Sequence, residues 1–290
     1  MTKPTKANKE RMYQDVEFLT TLRPYRNYQN LDSLEKVCDY IKEEYDKLGW
    51  SSQEQTWEAH GDMYKNIITS YNKQKTKRLI IGAHYDVCGD QPGADDNASA
   101  VAGLLETARL FAANKPQLDY RVDFVAYCLE EPPFFGSEMM GSYVHAEHLY
   151  ENNVDVIGMV CYEMIGYYSM IQTYPKELMY LALKYPLRGN FIMVVGVEEY
   201  DEFNNKVHSL MSKGSKINVQ QISDPNISML AGLSDQRNYW KFGYPALMIN
   251  DTSFIRNPNY HKKSDTIDTL NFNKMKEVVN STYRAVTNIV

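Results

Sequence analysis

Residues 77–86 read KRLIIGAHYD, an apolar run that stops on a histidine, with an aspartate two positions further on. A run this short, rich in isoleucine and without polar alternation, has the pattern of a strand buried on both faces, as in a parallel sheet. The pattern recurs in RVDFVAYCLE (121–130), VIGMVCYEMIG (156–166), FIMVVGV (191–197) and YPALMIN (244–250). A further β segment is expected to end near YKNIITS (64–70). Helical segments lie between. LDSLEKVCDYIKEEYDKL (31–48) places Val37, Ile41, Tyr45 and Leu48 on one face, and Gly49 closes it. Others are expected at about 98–113, near 138–150, over DEFNNKVHSLMSK (201–213) and over FNKMKEVVNSTYRAVTNIV (272–290). Strands alternating with helices predict an α/β fold with a mostly parallel central sheet and helices on both faces. No repeat, low-complexity tract or Pro/Gly/Ser linker divides the 290 residues, which are expected to form one domain, 1–290.

The hydrophobic share of 43% and charged share of 23% are those of a soluble globular chain. A formal net charge of −6 argues against a nucleic-acid or anionic-membrane partner. No run reaches the roughly 18 apolar residues that a membrane span needs. The opening MTKPTKANKERMYQDV has lysines but no apolar stretch, so it is not read as a signal peptide. Cys38, Cys88, Cys128 and Cys161 are scattered without a CxxC pair and are expected to be buried thiols in a reducing compartment. The expectation is therefore a cytoplasmic protein, unless an export signal has been trimmed. The sequence carries no signal for an oligomeric state.

In open α/β sheets ligands bind outside the carboxyl ends of the strands, and here those ends are charged. LIIGA runs into His84, with Asp86 beyond; VAYCL runs into Glu130 and Glu131; GMVCY runs into Glu163. The loop NDTSFIRNPNYHKKSDT (250–266) carries His261, and Asp96 heads the helix after His84. Taken singly, each is weak: an isolated histidine is usually a surface or core residue, and Glu-Glu pairs at 43–44 and 198–199 read as solvated faces or turns. Together they place unpaired carboxylates where apolar strands end, which is expensive unless a cation neutralises them. Imidazole with carboxylate suits Zn²⁺, Mn²⁺ or Co²⁺. Five such groups are too many for one tetrahedral ion and about right for two ions sharing a carboxylate.

GAHYDV (82–87), GADDNASAVAGLLETARL (93–110), LEEPPFFGSEMMGS (129–142), EMIGY (163–167) and IRNPNYHKKSDTIDTLN (255–271) together resemble the two-zinc aminopeptidases of metallopeptidase family M28. The five motifs come in family order over roughly residues 64–272. The resemblance implies that family's three-layer fold, with a mixed sheet between helices, as a single catalytic domain. It makes His84 and Glu163 ligands of one zinc, Glu131 and His261 ligands of the other, and Asp96 the bridge between them. Glu130 becomes the general base acting on a water between the metals, and Asp86 the acid that orients the His84 ring, fixing its tautomer. Three departures stand out: Glu163 where many members have aspartate, SDQRNYW (234–240) for the commoner SDH, and a stiff Pro132–Pro133 after the glutamates.

Peptide hydrolysis needs a nucleophile, an oxyanion stabiliser and a proton for the leaving amine. Adjacent Glu130 and Glu131 suit a division of labour, since successive side chains at a strand end point different ways. Tyr260 is a candidate oxyanion donor, with packing as the competing role among 23 tyrosines. Glu130 and Glu163 are expected to face a substrate ammonium. Arg188, Arg237 and Arg256 form no obvious cluster for a substrate carboxylate. The reading is hydrolysis of peptides at a free amino terminus. Its alternatives on the same fold are a carboxypeptidase or dipeptidase and a glutaminyl-cyclase-like enzyme; a non-catalytic metal-binding module is disfavoured because Glu130 and Asp96 are both present. In GADDNASA (93–100), Asp95 is expected to support the loop, and Asn97 to lie in the cap region of the next helix. Met139, Met140 and Met164 are read as core rather than as a substrate pocket.

Overall fold

The computed structural model describes residues 4–290. Eight strands form one sheet: β1 (Gln53–Ala59), β2 (Asp62–Tyr71), β3 (Arg78–His84), β4 (Arg121–Tyr127), β5 (Val156–Glu163), β6 (Phe191–Val195), β7 (Asn218–Ile222) and β8 (Ala246–Asn250). Their order is β1-β2-β4-β3-β5-β8-β6-β7. The four central strands, β4-β3-β5-β8, run parallel, while β1, β2 and the β8–β6 pair bring in antiparallel contacts. The sheet is thus mixed and mostly parallel, as expected.

Side chains alternate across it with period two. Leu79, Ile81 and Ala83 of β3 join Val122, Phe124 and Ala126 of β4 in a core on one face. Ile80, Val125, Tyr127, Met159 and Cys161 form the core on the other. Burial on both faces is why these strands read as unbroken apolar runs. Helices α1 (Lys9–Thr21), α2 (Leu31–Asp46), α3 (Ala100–Asn114), α5 (Asp201–Ser212) and α8 (Phe272–Val286) contribute to the first core; α4 (Gly141–Glu151), the short α6 (Ser228–Ala231) and α7 (Gln236–Lys241) belong to the second. α1 is tied down by charge as well. Buried Asp15 accepts two bonds from Arg109 of α3, at 2.6 and 2.8 Å.

Five elements were not expected from the sequence: α1, β1, β7 and the short α6 and α7. α1 has buried Met12, Val16 and Leu19 at helical spacing, but polar residues outnumber them. β1 and β7 are the sheet's edge strands, and QEQTWEA and NVQQI have no apolar run because most of their residues are exposed or half-buried. The expected helix at 98–113 begins instead with an irregular turn over Ala94–Ser99, in which Asp96 and Asn97 have non-helical backbone.

Tyr127 fills the space over Gly82. A Cβ at Gly82 would meet Tyr127 Cε2 at 2.2 Å, and the ring is pinned by a 2.6 Å hydrogen bond between its hydroxyl and that of Tyr239. Gly82→Ala should therefore cost about 1–3 kcal/mol of stability through overpacking, read as a lower urea midpoint with an unchanged slope. An unchanged midpoint would contradict this account of the β3–β4 packing.

Candidate metal centre

Because β4, β3, β5 and β8 run parallel, their carboxyl ends lie along one edge of the sheet, and that edge collects the charged residues. His84 is the last residue of β3 and Glu163 the last of β5. After β4, Leu129 takes a left-handed backbone (φ 63°), and Glu130 and Glu131 follow. His261 enters from the loop beyond β8. His84 Nε2 lies 3.2 Å from Glu163 Oε2, 3.6 Å from Asp96 Oδ1 and 3.7 Å from Glu130 Oε2. His261 Nε2 lies 3.1 Å from Asp96 Oδ2 and 3.3 Å from Glu131 Oε2. The two oxygens of Asp96 thus face two different histidines, each with a glutamate beside it. All five expected metal-binding residues come together, with Glu130 next to them.

The supporting contacts fix this arrangement through the backbone. Asp86 Oδ1 lies 3.4 Å from His84 Nδ1, and the Asp86 carboxylate also accepts the N–H groups of Glu130 (3.2 Å) and Glu131 (3.1 Å). Asp86 therefore holds the glutamate pair through its amides and lies beside the His84 ring, whose Nδ1 makes no hydrogen bond among the described residues. Asp265 accepts the N–H groups of Asp95 and Asp96 at 3.0–3.2 Å. Fully buried Arg26 donates to the carbonyls of Tyr85, Leu19, Pro92 and Gly93. At Gly93 (φ 58°) a Cβ would sit 2.2 Å from the Asp96 carbonyl, so only glycine lets the loop turn this tightly.

GADDNASA needs one correction. Asn97 is not a helix cap: its Oδ1 accepts the N–H of Met164, and its Nδ2 donates to Tyr162 O, tying the turn to β5. Asp95 is a supporting acid as expected. Buried, it accepts from Gly166 N–H (2.8 Å), Asn257 Nδ2 (2.7 Å) and Ser99 Oγ (3.2 Å).

The residues fit cations. His84 Nε2 and Glu131 Oε1 are buried without a hydrogen-bond partner among the described residues, although carboxylates surround the ring. Burial, with repulsion from Glu131 and Glu163, holds the Glu130 pKa well above the usual carboxylate range. Burial and Asp96 push Glu131 up to about 7. Burial opposes charge on His84, but Glu163 and Glu130 outweigh it and hold the ring well above the ordinary histidine value. Burial likewise opposes charge on His261, and its bonds to Asp96 and Glu131 raise it to about 10. The cluster is one of acids that cannot all ionise unless positive charge enters.

Besides Arg26 and Asp265, two further groups near the site were missed in the sequence. Asp235, in the SDQRNYW segment, is fully buried and pushed up to about 7 by that burial. Its neighbour Ser234 donates to Glu163 Oε2 at 2.7 Å, whereas Gln236 turns away to the Ala231 carbonyl. Cys88 is half-buried beside Glu131 and His261 rather than in the core. An adjacent thiol was not among the expected donors.

A cavity of about 250 Å³ opens from Asp96, Glu130, Glu163, Tyr260 and His261. Its walls are apolar, including Leu181, Phe191, Met193, Ile227, Leu230 and Met248. Met140 and Met164 are buried in the core, as expected, and do not line it. Tyr260 stacks on His261 with ring centroids 3.8 Å apart. No lysine or arginine lines the cavity among the described residues. Arg256 is buried and spent on Gln172 (2.7 Å) and the Phe191 carbonyl (2.9 Å), and Arg237 lies over Phe135.

These charges set a pH dependence. In the metal-free protein Glu131 and Asp235 are raised to about 7, and Asp265 to about 8, by burial first. A carboxyl raised on folding stabilises the fold below its unfolded pKa, and that contribution is lost as pH rises through the folded value. His84 and His261, also raised, act in the same direction at higher pH. The thermal midpoint of chelator-treated protein should therefore fall between pH 5 and 8. Metal binding releases protons, so the metal-loaded midpoint should not fall over that range. A metal-free midpoint that holds or rises would contradict this electrostatic picture.

The chain is similar to several known proteins. The Escherichia coli (strain K12) protein YfbL is 41% identical over 287 residues, covering 95% of this chain and 87% of YfbL. Leucine aminopeptidase 1 of Metarhizium robertsii is 27% identical over 294 residues, covering 94% of this chain and 66% of that protein. Among solved structures, the LapA aminopeptidase of Legionella pneumophila superposes with a TM-score of 0.77 at 21% identity, over 97% of this chain and 72% of LapA. Porphyromonas gingivalis glutaminyl cyclase superposes at 0.73 and 19% identity, over 99% and 100%. The profile of Peptidase family M28 matches residues 66–286, a span that includes every residue of the strand-end cluster, and the chain belongs to that family.

Proposed function

We propose that this chain is a metal-dependent aminopeptidase that holds two cations, zinc by preference, on either side of Asp96. The observation that carries the reading is the division of the Asp96 carboxylate, one oxygen toward His84 and Glu163, the other toward His261 and Glu131. When bound, two such ions lower the pKa of a shared water and polarise the scissile carbonyl. Glu130 is near these residues but is needed by neither set. In this reading it takes the proton from the attacking water and passes it to the leaving amine. Tyr260, on the cavity wall and stacked on His261, donates its hydroxyl to the developing oxyanion. Glu130 and Glu163 offer negative charge to the substrate ammonium, and the apolar cavity takes the amino-terminal side chain. The lack of a lysine or arginine on the cavity wall supports an aminopeptidase over a carboxypeptidase. One continuous sheet carrying the whole site supports a single catalytic domain, and free cysteines suit a cytoplasmic setting.

The likeness to a glutaminyl cyclase keeps a second reading in view, the cyclisation of an amino-terminal glutamine. Two cation sets, rather than one, favour hydrolysis. Peptides with a free amino terminus should be cleaved and blocked ones spared, with loss of activity on chelation. Leucine at the amino terminus should exceed alanine in kcat/KM by on the order of 50-fold, from three carbons at ~0.8 kcal/mol each. Glu130→Gln should lower kcat by about 10²–10⁴-fold with bound metal unchanged. Wild-type turnover in that variant would overturn the role of Glu130. Ring closure of glutaminyl peptides without release of glutamine would establish the cyclase instead.

A further inference from the structure

Cys88 lies on the loop that leaves β3, between Asp86 and Gly93, and it is the only one of the four cysteines that is not buried. Its Sγ, a carboxylate oxygen of Glu131 and a ring nitrogen of His261 all lie within 4.8 Å of one another. That is close to the reach of one ion whose bonds are about 2.3 Å to sulfur and about 2.0–2.2 Å to nitrogen and oxygen. A thiol beside a metal site can be incidental, but Glu131 gives an independent sign. It is 4% exposed, and its Oε1 is buried without a hydrogen-bond partner among the described residues. A buried carboxylate oxygen left without a donor, on a residue of this same cluster, is a place prepared for a cation.

We propose that Cys88 supplies a thiolate to the cation held by Asp96, Glu131 and His261, completing four protein donors on that side. The inference rests on the two-cation reading above. It makes the two sites unequal. Asp96, Glu131, His261 and Cys88 would give one ion four protein donors, with the shared water as a fifth, whereas His84, Asp96 and Glu163 would give the other three. The side with four protein donors is then the tighter. On binding, the thiol gives its proton to solvent as the sulfur–metal bond forms, with no change of oxidation state. A sulfur donor also selects zinc over manganese or magnesium, which prefer oxygen.

Cobalt(II) added to the chelator-treated full-length protein tests this directly, because thiolate bound to cobalt gives a near-ultraviolet charge-transfer band that carboxylate and imidazole do not. The wild type should take up two equivalents and develop that band with the first. Cys88→Ser and Cys88→Ala should lack it and should bind one of the two ions about 100-fold more weakly, or worse, while the other is unchanged. Iodoacetamide should label Cys88 at least tenfold more slowly in the loaded wild type than in the metal-free protein. Two equivalents of cobalt with no band would overturn Cys88 as a donor and leave the two-cation reading standing. Slowed alkylation without the band would overturn it equally, by placing the thiol beside the ion but not bonded to it. Uptake of fewer than two equivalents would overturn both readings.

Discussion

Five ionisable side chains, three of them carboxylates, meet at the end of an apolar sheet, and their mutual repulsion governs the rest of the molecule. Asp96, Glu131 and Glu163 are each 5% exposed or less, with Glu130 close behind at 6%. Two buried like charges cannot both ionise without nearby positive charge. The two histidines are too few to neutralise four acids. The protein therefore keeps a fixed arrangement of acids that only entering cations can fully satisfy.

Holding such a cluster together requires that nothing around it be able to relax. The framework does this mainly through backbone groups. Asp86 grips the amides of Glu130 and Glu131, and Asp265 grips those of Asp95 and Asp96. Arg26, buried in full, collects four carbonyls from α1 and the loop between His84 and Asp96. Its charge also offsets some of the surrounding negative potential, from Asp265 first and then Asp96 and Asp86. The parallel core of the sheet sets where the three strand ends stand relative to one another, and helices on both faces leave it no freedom to slide. Preorganisation of this kind is what a site that must place charge within tenths of an ångström needs.

The strands and the chemistry of the site were legible in the sequence for the same reason: a strand buried on both faces is a short apolar run, and a charged residue at its end is conspicuous. His84, Glu130, Glu131 and Glu163 all stand at or just beyond such ends. Asp96 and His261, outside any strand, stood out by their place after the strands, and their separate roles came from resemblance to a family. Arg26 and Asp265 were invisible because they act across long sequence separations, on main-chain groups that no motif records. Asp235 stands in a motif whose next residue, Gln236, departed from expectation and drew attention away from it. Asn97 was misread because an asparagine ahead of a helix usually caps it, whereas here the turn is non-helical and the side chain reaches β5. Cys88 was grouped with the other thiols, since only the folded loop places it near His261. The edge strands β1 and β7 and helix α1 fall short on periodicity because water covers much of their surface.

The central claim is that Asp96 stands between two cations. Anomalous diffraction at the zinc edge from crystals of zinc-loaded protein tests it without recourse to activity. The account predicts two peaks about 3.5–4 Å apart, one beside His84 and Glu163 and the other beside Glu131 and His261, with an Asp96 oxygen on each. A single fully occupied peak, or two peaks that do not share Asp96, would contradict it.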